Sequence, residues 1–415
     1  MTMKKTIKIF VFGLLSAALF SCQDAALPTI DNMAYISDAA NGRLGVVSMA
    51  ETGHDTQVSF TVRLAQVADE DTKVKVSIDT TVLQNYNSTY QTSFKHVAAE
   101  NIEAPYYVNI PAGSITSDPV AIIVKSFDTK GAQYALSFRI ESKSSIPVAE
   151  ESSKYIVQLL KPLKQYVPQF NYTSAMECSP IGQAWGYELM NYTLEWWAKM
   201  SAFSINNQAI INSGTMSVEQ GGNPNTCELY IRFGDAIYSG SNRYAFLQIK
   251  TMGSQFDTGD PAKTPLTPNK WYHFAITYDG NTGDSIMYQD GQQVAIINTG
   301  AGRSMNIDRF QMCSSGSSWF RDKVEMCQVR LWKTTRSATQ IQKNMRSEVE
   351  YNNSDLLLYL PMNEGPDNFE QGDNGKTYVM LKDVTGNGHD CVVGSLPGVG
   401  NGVGTQPLGW TEYAF

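Results

Sequence analysis

Between residues 33 and 160, apolar side chains return at every second position. Val58, Phe60, Val62 and Leu64 share a face, as do Val74, Val76 and Ile78, and later Val120, Ile122 and Val124. The rhythm continues in Tyr106, Val108 and Ile110, in Tyr134, Leu136, Phe138 and Ile140, and in Tyr155, Val157 and Leu159. A period of two belongs to a strand with one buried face and one wet face. At least six such strands joined by turns predict a β-sandwich of immunoglobulin-like size. Residues 79–90 (DTTVLQNYNSTY) break the rhythm and read as helical or irregular. Pro111-Ala112-Gly113 reads as a tight turn, because proline fixes one dihedral and glycine tolerates positive φ.

The stretch KPLKQYVPQ (161–169) holds two prolines and two lysines without periodicity. It predicts an extended connection, with a sandwich domain over 33–162, a linker over 163–169 and a second domain over 170–415. Strand patterns then resume in Leu194 and Trp196, in Leu229, Ile231 and Phe233, and in Phe274, Ile276 and Tyr278. Ser337-Ala338-Thr339-Gln340 has the form of a capping box, and Ile341 and Met345 give the short helix behind it one apolar face. The fold class expected is all-β, an immunoglobulin-like β-sandwich followed by a jelly roll of two stacked antiparallel sheets.

Composition limits the partners. Of 415 residues, 42% are hydrophobic and 17% charged, and the formal charge is -8, so no basic stripe invites nucleic acid. The four histidines, His54, His96, His273 and His389, lack metal-site spacing. Lys4, Lys5 and Lys8 precede an apolar run, 9–20, that is too short to span a membrane and reads as an export signal. It ends in Leu19-Phe20-Ser21-Cys22, which resembles the lipobox of bacterial lipoproteins in its Bacteroidetes form. The resemblance implies removal of residues 1–21 and a lipid anchor on Cys22 in the outer membrane, facing the cell exterior or the periplasm. Only Asp24 supplies acidity just after the anchor. Cys178, Cys227, Cys313, Cys327 and Cys391 remain, an odd number. Cys313 and Cys327 fall on consecutive expected strands, either facing each other or serving as small buried hydrophobes.

Two further resemblances cover most of the chain. VKVSIDTTVLQNYN (74–87), VNIPAGSITSDPVAIIV (108–124) and YALSFRIES (134–142) resemble an amino-terminal domain of unknown function carried by many Bacteroidetes surface lipoproteins. The resemblance implies a spacer or docking module. YTLEWWAKM (192–200), WYHFAITYDGNTGDSIMYQDGQQV (271–294), VRLWKTTRSATQIQKNM (329–345), LLLYLPMNEG (356–365) and KDVTGNGHD (382–390) resemble a laminin G-like, concanavalin A-type domain. Where that family carries an acidic pair before its VRIW-like strand, this chain has Cys327 and Gln328.

The chemistry on offer is modest. In a strand beginning at Trp271, Tyr272, Phe274, Ile276 and Tyr278 take the core face and His273 the other. No serine or cysteine nucleophile motif accompanies His273, so it reads as a structural hydrogen-bonding group. Asp279–Asp284 and Asp290-Gly291 read as turns. No ExDxE strand appears, and Glu364, Asp367 and Glu370 sit in a proline-containing loop without catalytic spacing. Asp383, Asn387 and Asp390 concentrate hard oxygen donors in a tight loop, either as ligands of a structural Ca²⁺ or as an Asx-capped glycine turn. Relatives of the laminin G type often hold a structural calcium in loops of this sort.

Sugar faces stack on exposed rings, and Trp185, Tyr187, Tyr244 and Trp319 sit in loop-like sequence. Trp196, Trp271 and Trp332 are assigned to the fold. The expectation is a non-catalytic surface lipoprotein that binds glycan or another extracellular ligand, such as a protein. The alternatives are a structural or protein-interaction component of a surface glycan-uptake system and a divergent glycosidase.

Overall fold

The computed structural model describes residues 31–42, 44–51, 53–90, 92–214, 229–371, 377–396 and 409–415. Residues 1–21, Cys22 and Cys227 therefore lie outside the described residues. The first domain is a β-sandwich. A six-stranded sheet, in which Tyr134–Ser142 lies between Lys154–Leu160 and Thr72–Ile78, faces a three-stranded sheet and a two-stranded one. The alternation read from sequence decides which side chains meet. Val58, Phe60, Val74, Val76, Ile122, Val124, Leu136 and Phe138 form the core. It fails only at strand ends, where Ile78 is 39% and Tyr106 58% exposed, beyond the cover of the facing strands.

Residues Thr80–Tyr90 do form a helix. The Asp79 carboxylate accepts the Thr81 amide at 3.0 Å, replacing a partner that the first helical turn cannot supply. Val82 and Leu83 then pack on Ala135 and Ile156, on the outer face of the sheet.

The second domain stacks two eight-stranded sheets. Tyr192, Leu194 and Trp196 from Asn191–Met200 and Phe274, Ile276 and Tyr278 from Tyr272–Asp279 enter the shared core, opposite Leu229, Ile231, Phe233, Leu247 and Ile249. The hairpin after Tyr272–Asp279 is Gly283-capped, with its amide donating to the Asp279 carbonyl at 2.7 Å. The Asp290-Gly291 turn has φ of 51° and 75°, the paired positive values a tight hairpin requires. Around the helix Ala338–Asn344 the capping box is complete, with the Gln340 amide donating to Ser337 Oγ and the Ser337 amide to Gln340 Oε1.

The linker is a correction. Lys164–Phe170 is a strand of the second domain, paired along its length with Gly409–Ala414 and, at Gln169 and Phe170, with Val324–Trp332. Pro168 lies where only Gly409–Ala414 pairs, so its missing N–H interrupts no second ladder. Leu163 is already buried, and its carbonyl accepts the Phe415 amide. The crossing shrinks to Lys161-Pro162, between Lys154–Leu160 and the buried Leu163.

Such a short crossing brings the domains together. The Tyr351 amide donates to the Lys130 carbonyl at 3.1 Å. Lys161 pairs with Glu348 at 3.0 Å, Lys164 with Glu51 at 3.2 Å, and Lys95 with Glu350. Gly131 has φ +73°, and a Cβ built there would stand 1.8 Å from the Val349 carbonyl oxygen, so a glycine is required at this approach.

Of the two readings for Cys313 and Cys327, the structure bears out that of small buried hydrophobes, and the disulfide lies elsewhere. Cys178 is bonded to Cys391, its ladder partner on the neighbouring strand. Cys313 and Cys327 do not face each other in a bond. Both are free buried thiols, and burial pushes both well above the usual thiol range.

Candidate functional site

The second domain holds three groups of polar or aromatic residues. The first surrounds His273. Its side chain is 1% exposed, its Nε2 lies 3.6 Å from Glu195 Oε2, and its amide donates to Asp290 Oδ1. Burial drives its pKa down to about 4, against the pull of Glu195, so the ring is neutral. Glu195 is fully buried, with Oε1 accepting from Trp332 Nε1 at 2.8 Å. Gln328, one of the residues replacing the family's acidic pair, has φ 56° in a bulge, and its Nε2 donates to Gln165 Oε1. A substrate has no route to these sealed groups, and they serve the fold.

This buried histidine gives stability a pH dependence. The unfolded His273 takes up a proton near its ordinary 6.5 and the folded one only near 4, so acidification through that window removes stability. Glu364 opposes it. Burial raises its carboxyl to about 7 from 4.5, so its contribution is present below 4.5 and lost as the pH rises towards 7. Glu364→Gln is expected to lose stability more steeply than the parent between pH 7 and 4.5, as read by urea midpoints. Equal slopes would contradict this assignment.

The second group joins two sites that looked separate in sequence. The Trp185 ring stacks on His389 at 3.7 Å between centroids and 10° between planes, and Tyr187 meets His389 edge-on. Trp185 and Tyr187 are half-buried against the core, so neither offers the open platform expected of it. His389 belongs to the loop of Asp383, Asn387 and Asp390. Asp383 Oδ1 accepts the Tyr359 and Thr385 amides and Oδ2 the His389 amide. Asn387 turns its amide nitrogen to the carbonyls of Leu356 and Leu357. Asp390 accepts the Asp383 amide on Oδ1, and Lys382 Nζ stands 3.4 Å from Oδ2. Carboxylates occupied by N–H donors, with an ammonium beside them, do not fit a calcium ligand set. The geometry is that of a turn stapled through Asx hydrogen bonds.

The third group lies at one end of the second sandwich. The strands Gln208–Asn212, Leu229–Phe233 and Leu247–Thr251 run antiparallel as neighbours. Alternation sends Leu229, Ile231 and Phe233 inward and turns Tyr230 and Arg232 outward. Arg232 donates through Nε and Nη2 to Gln248 Oε1, through Nη1 to Asn207 Oδ1 at 2.9 Å and through Nη2 to Asp235 at 2.6 Å. Tyr230 donates its hydroxyl to the same Asn207 oxygen. Asn207 has φ 62° and Cys313 φ 55°, two non-glycine residues in the left-handed region within this end of the sheet. Such conformations persist only where the surroundings hold them.

The network fixes the loops above it. Asp235 is the second residue of the loop 234–246, where Gly234 has φ +71° and a Cβ would meet Tyr244 Cβ at 2.9 Å and Asn206 Cα at 3.1 Å. Tyr244 is thereby held half-buried, with the Arg243 guanidinium 4.7 Å from its ring centroid. The loop 313–323 stands beside it, because the Cys313 amide donates to the Ile210 carbonyl and the Ser314 amide to Ala209. Phe320 is fully buried, and Asp322 accepts from the Ser204 amide, Ser204 Oγ and Gln208 Nε2. These anchors leave Trp319 outside, 41% exposed, with Ser317 and Ser318. A tryptophan held between anchored segments in this way leaves part of an apolar ring open to solvent.

Of the residues picked from sequence, Tyr244 and Trp319 thus share one loop end, while Trp185 and Tyr187 pack with His389 elsewhere. Sequence reading missed Asn207, Tyr230, Arg232 and Gln248. The alternation in LYIRF and LQIKT was the available signal, since it turns Arg232 and Gln248 away from the core.

The comparisons agree with this architecture. Residues 30–147 match a family of N-terminal domains, and residues 184–342 match the Concanavalin A-like lectin/glucanases superfamily. No curated protein matches the chain. Among solved structures, a proposed carbohydrate binding protein from Bacteroides ovatus ATCC 8483 is similar at 19% identity and a TM-score of 0.61, over 92% of this chain and 97% of its own. A heptameric SAP-like pentraxin from Limulus polyphemus overlaps 43% of this chain and 80% of its own, at 13% identity and a TM-score of 0.31. EndoBT-3987 of Bacteroides thetaiotamicron overlaps 31% of this chain and 30% of its own, at 18% identity and a TM-score of 0.26. Residues 184–342 therefore belong to a concanavalin A-like domain of the laminin G type, carried behind an amino-terminal β-sandwich domain matched over residues 30–147.

Proposed function

We propose that the chain is a non-catalytic glycan-binding protein whose ligand meets the loop end formed by Trp319, Tyr244 and Arg243. The exposure of Trp319 between the anchored segments 313–314 and 320–322 carries this reading. The ring supplies a stacking face, Ser317 and Ser318 beside it in the chain supply hydroxyls, and Arg243 offers further donors from the loop of Tyr244. Arg232 acts as a positioning residue through Asp235. The lectin-like fold and the carbohydrate-binding description of the Bacteroides ovatus protein support the same ligand class.

Trp319→Ala is expected to weaken glycan binding by about tenfold or more, the usual cost of deleting a central aromatic anchor. Because the side chain stands in solvent, the melting temperature should stay within about 2 °C of the parent. Unchanged affinity for the parent's best glycan would contradict the site.

We further propose that the protein is exported and anchored through Cys22 at the outer membrane, displayed on the cell surface. The signal-like first twenty-one residues and the Cys178–Cys391 bond support this, since disulfides persist in oxidising compartments. Cys22→Ala is expected to move the protein from the membrane to the soluble fraction, and continued membrane association would count against the anchor.

A further inference from the structure

The two domains enclose a cleft of 290 Å³ between the segments 129–133 and 158–162 of the first domain and 343–348 of the second. Three features of it go unused by the fold. Thr129 lines the cleft, is 4% exposed, and its hydroxyl is buried without a hydrogen-bond partner. Leaving such a group unsatisfied costs about 1–3 kcal/mol, so buried hydroxyls are ordinarily paired. Lys343 and Arg346 stand exposed at the rim, and neither enters an ion pair among the described residues. Their neighbour Lys161 is already neutralised by Glu348 at 3.0 Å. Leu160 and Phe415 add apolar wall.

We infer that this interdomain cleft is a binding site for a carboxylate-bearing saccharide unit. A carboxylate matches the guanidinium of Arg346 and the ammonium of Lys343, and charge-assisted hydrogen bonds are the stronger kind. A χ1 rotation would turn the Thr129 hydroxyl, now buried, towards a ring hydroxyl, and the apolar face of a sugar matches Leu160 and Phe415. The volume lies near the lower end of small-molecule sites, about 300 Å³, which suits a single ring rather than a long chain. The site is separate from the Trp319 loop end and does not depend on the reading given to it. Because its walls come from both domains, a bound unit also bridges them, and the glycine at 131 and the pairs Lys161–Glu348 and Lys95–Glu350 keep those walls in register.

The test uses the chain without residues 1–22, titrated with D-glucuronate and, as the uncharged control, D-glucose, by calorimetry at low salt. The expected result is saturable glucuronate binding in the millimolar range, about what a few contacts to one ring give, with no saturable glucose binding. The paired change Lys343→Ala and Arg346→Ala should weaken glucuronate at least about tenfold. Thr129→Val, which keeps the shape and deletes the hydroxyl, should weaken it roughly fivefold or more. Trp319→Ala should leave it unchanged, which separates this site from the loop end. The rim residues are exposed, so the paired variant should fold, and Thr129→Val tests the cleft independently if it does not. Absence of saturable glucuronate binding overturns the inference. So does equal binding of glucose, or affinity that the rim substitutions leave intact.

Discussion

Glu195→Ala is expected to lower the stability of the second domain by about 3–5 kcal/mol, the usual cost of removing one partner from a buried ion group. The carboxylate is inaccessible to solvent and stands among Trp332 Nε1, His273 Nε2 and two guanidiniums, with Arg330 Nη1 and Arg336 Nε each 3.9 Å away. Arg330 is 1% exposed and donates to the carbonyls of Asn344 and Ser347. It therefore ties the strand Val324–Trp332 to the segment that meets the first domain. Without Glu195, both guanidiniums keep their burial and lose their counterion. Glu195→Gln retains an acceptor for Trp332 and loses the charge, so it should fall between the parent and the alanine variant. Urea unfolding followed by tryptophan fluorescence reads both, and an unchanged midpoint for Glu195→Ala would show that the group is not the keystone described.

The second large effect concerns the Cys178–Cys391 bond. It joins positions 213 residues apart, so in the chain-entropy description it removes about 5 kcal/mol of freedom from the unfolded state. The bond also holds the strand Met176–Cys178 beside Cys391–Val392, where the Ser179 amide donates to the Asp390 carbonyl. The stapled loop of Asp383 and the Trp185–His389 stack depend on that placement. Replacing both cysteines by alanine should lower the denaturant midpoint markedly. Reductant should lower the parent's midpoint and leave the double variant's unaltered. Coincident midpoints for parent and variant in oxidising buffer would contradict this.

Much of the architecture was legible because it follows from alternation. Tyr272, Phe274, Ile276 and Tyr278 could be assigned to the core by counting, and His273 to the opposite face by the same count. That face is itself covered, which counting along one strand cannot reveal. The capping box at Ser337 was legible because its partners are three residues apart. Features joining distant segments were not. Nothing local says that Cys178 chooses Cys391, or that Lys164–Phe170 finds a partner in Gly409–Ala414. The prolines around that strand argued for a linker because they make a chain extended and semi-rigid, yet a strand is extended too, and on one side of Pro168 no donor is needed.

The site divides in the same way. Trp319 and Tyr244 were chosen for their loop-like surroundings, and the fold places them at one end of the sandwich. Trp185 and Tyr187 were chosen on the same grounds, but His389, two hundred and four residues from Trp185, caps the ring. The oxygen-rich loop at Asp383 resembled a calcium site by composition. Its geometry depends on which donors face each oxygen, and those donors are backbone amides and Lys382.

The proposed function has the second domain bind glycan at its exposed tryptophan, without catalysis and without calcium. It is tested most directly by a glycan-array screen of the chain lacking residues 1–22, run beside Trp319→Ala and with and without a chelator. The expected result is a defined set of bound glycans that stay intact, lose signal in Trp319→Ala and ignore the chelator. Silence on every glycan, binding that survives Trp319→Ala, or cleavage of the bound glycan would contradict it.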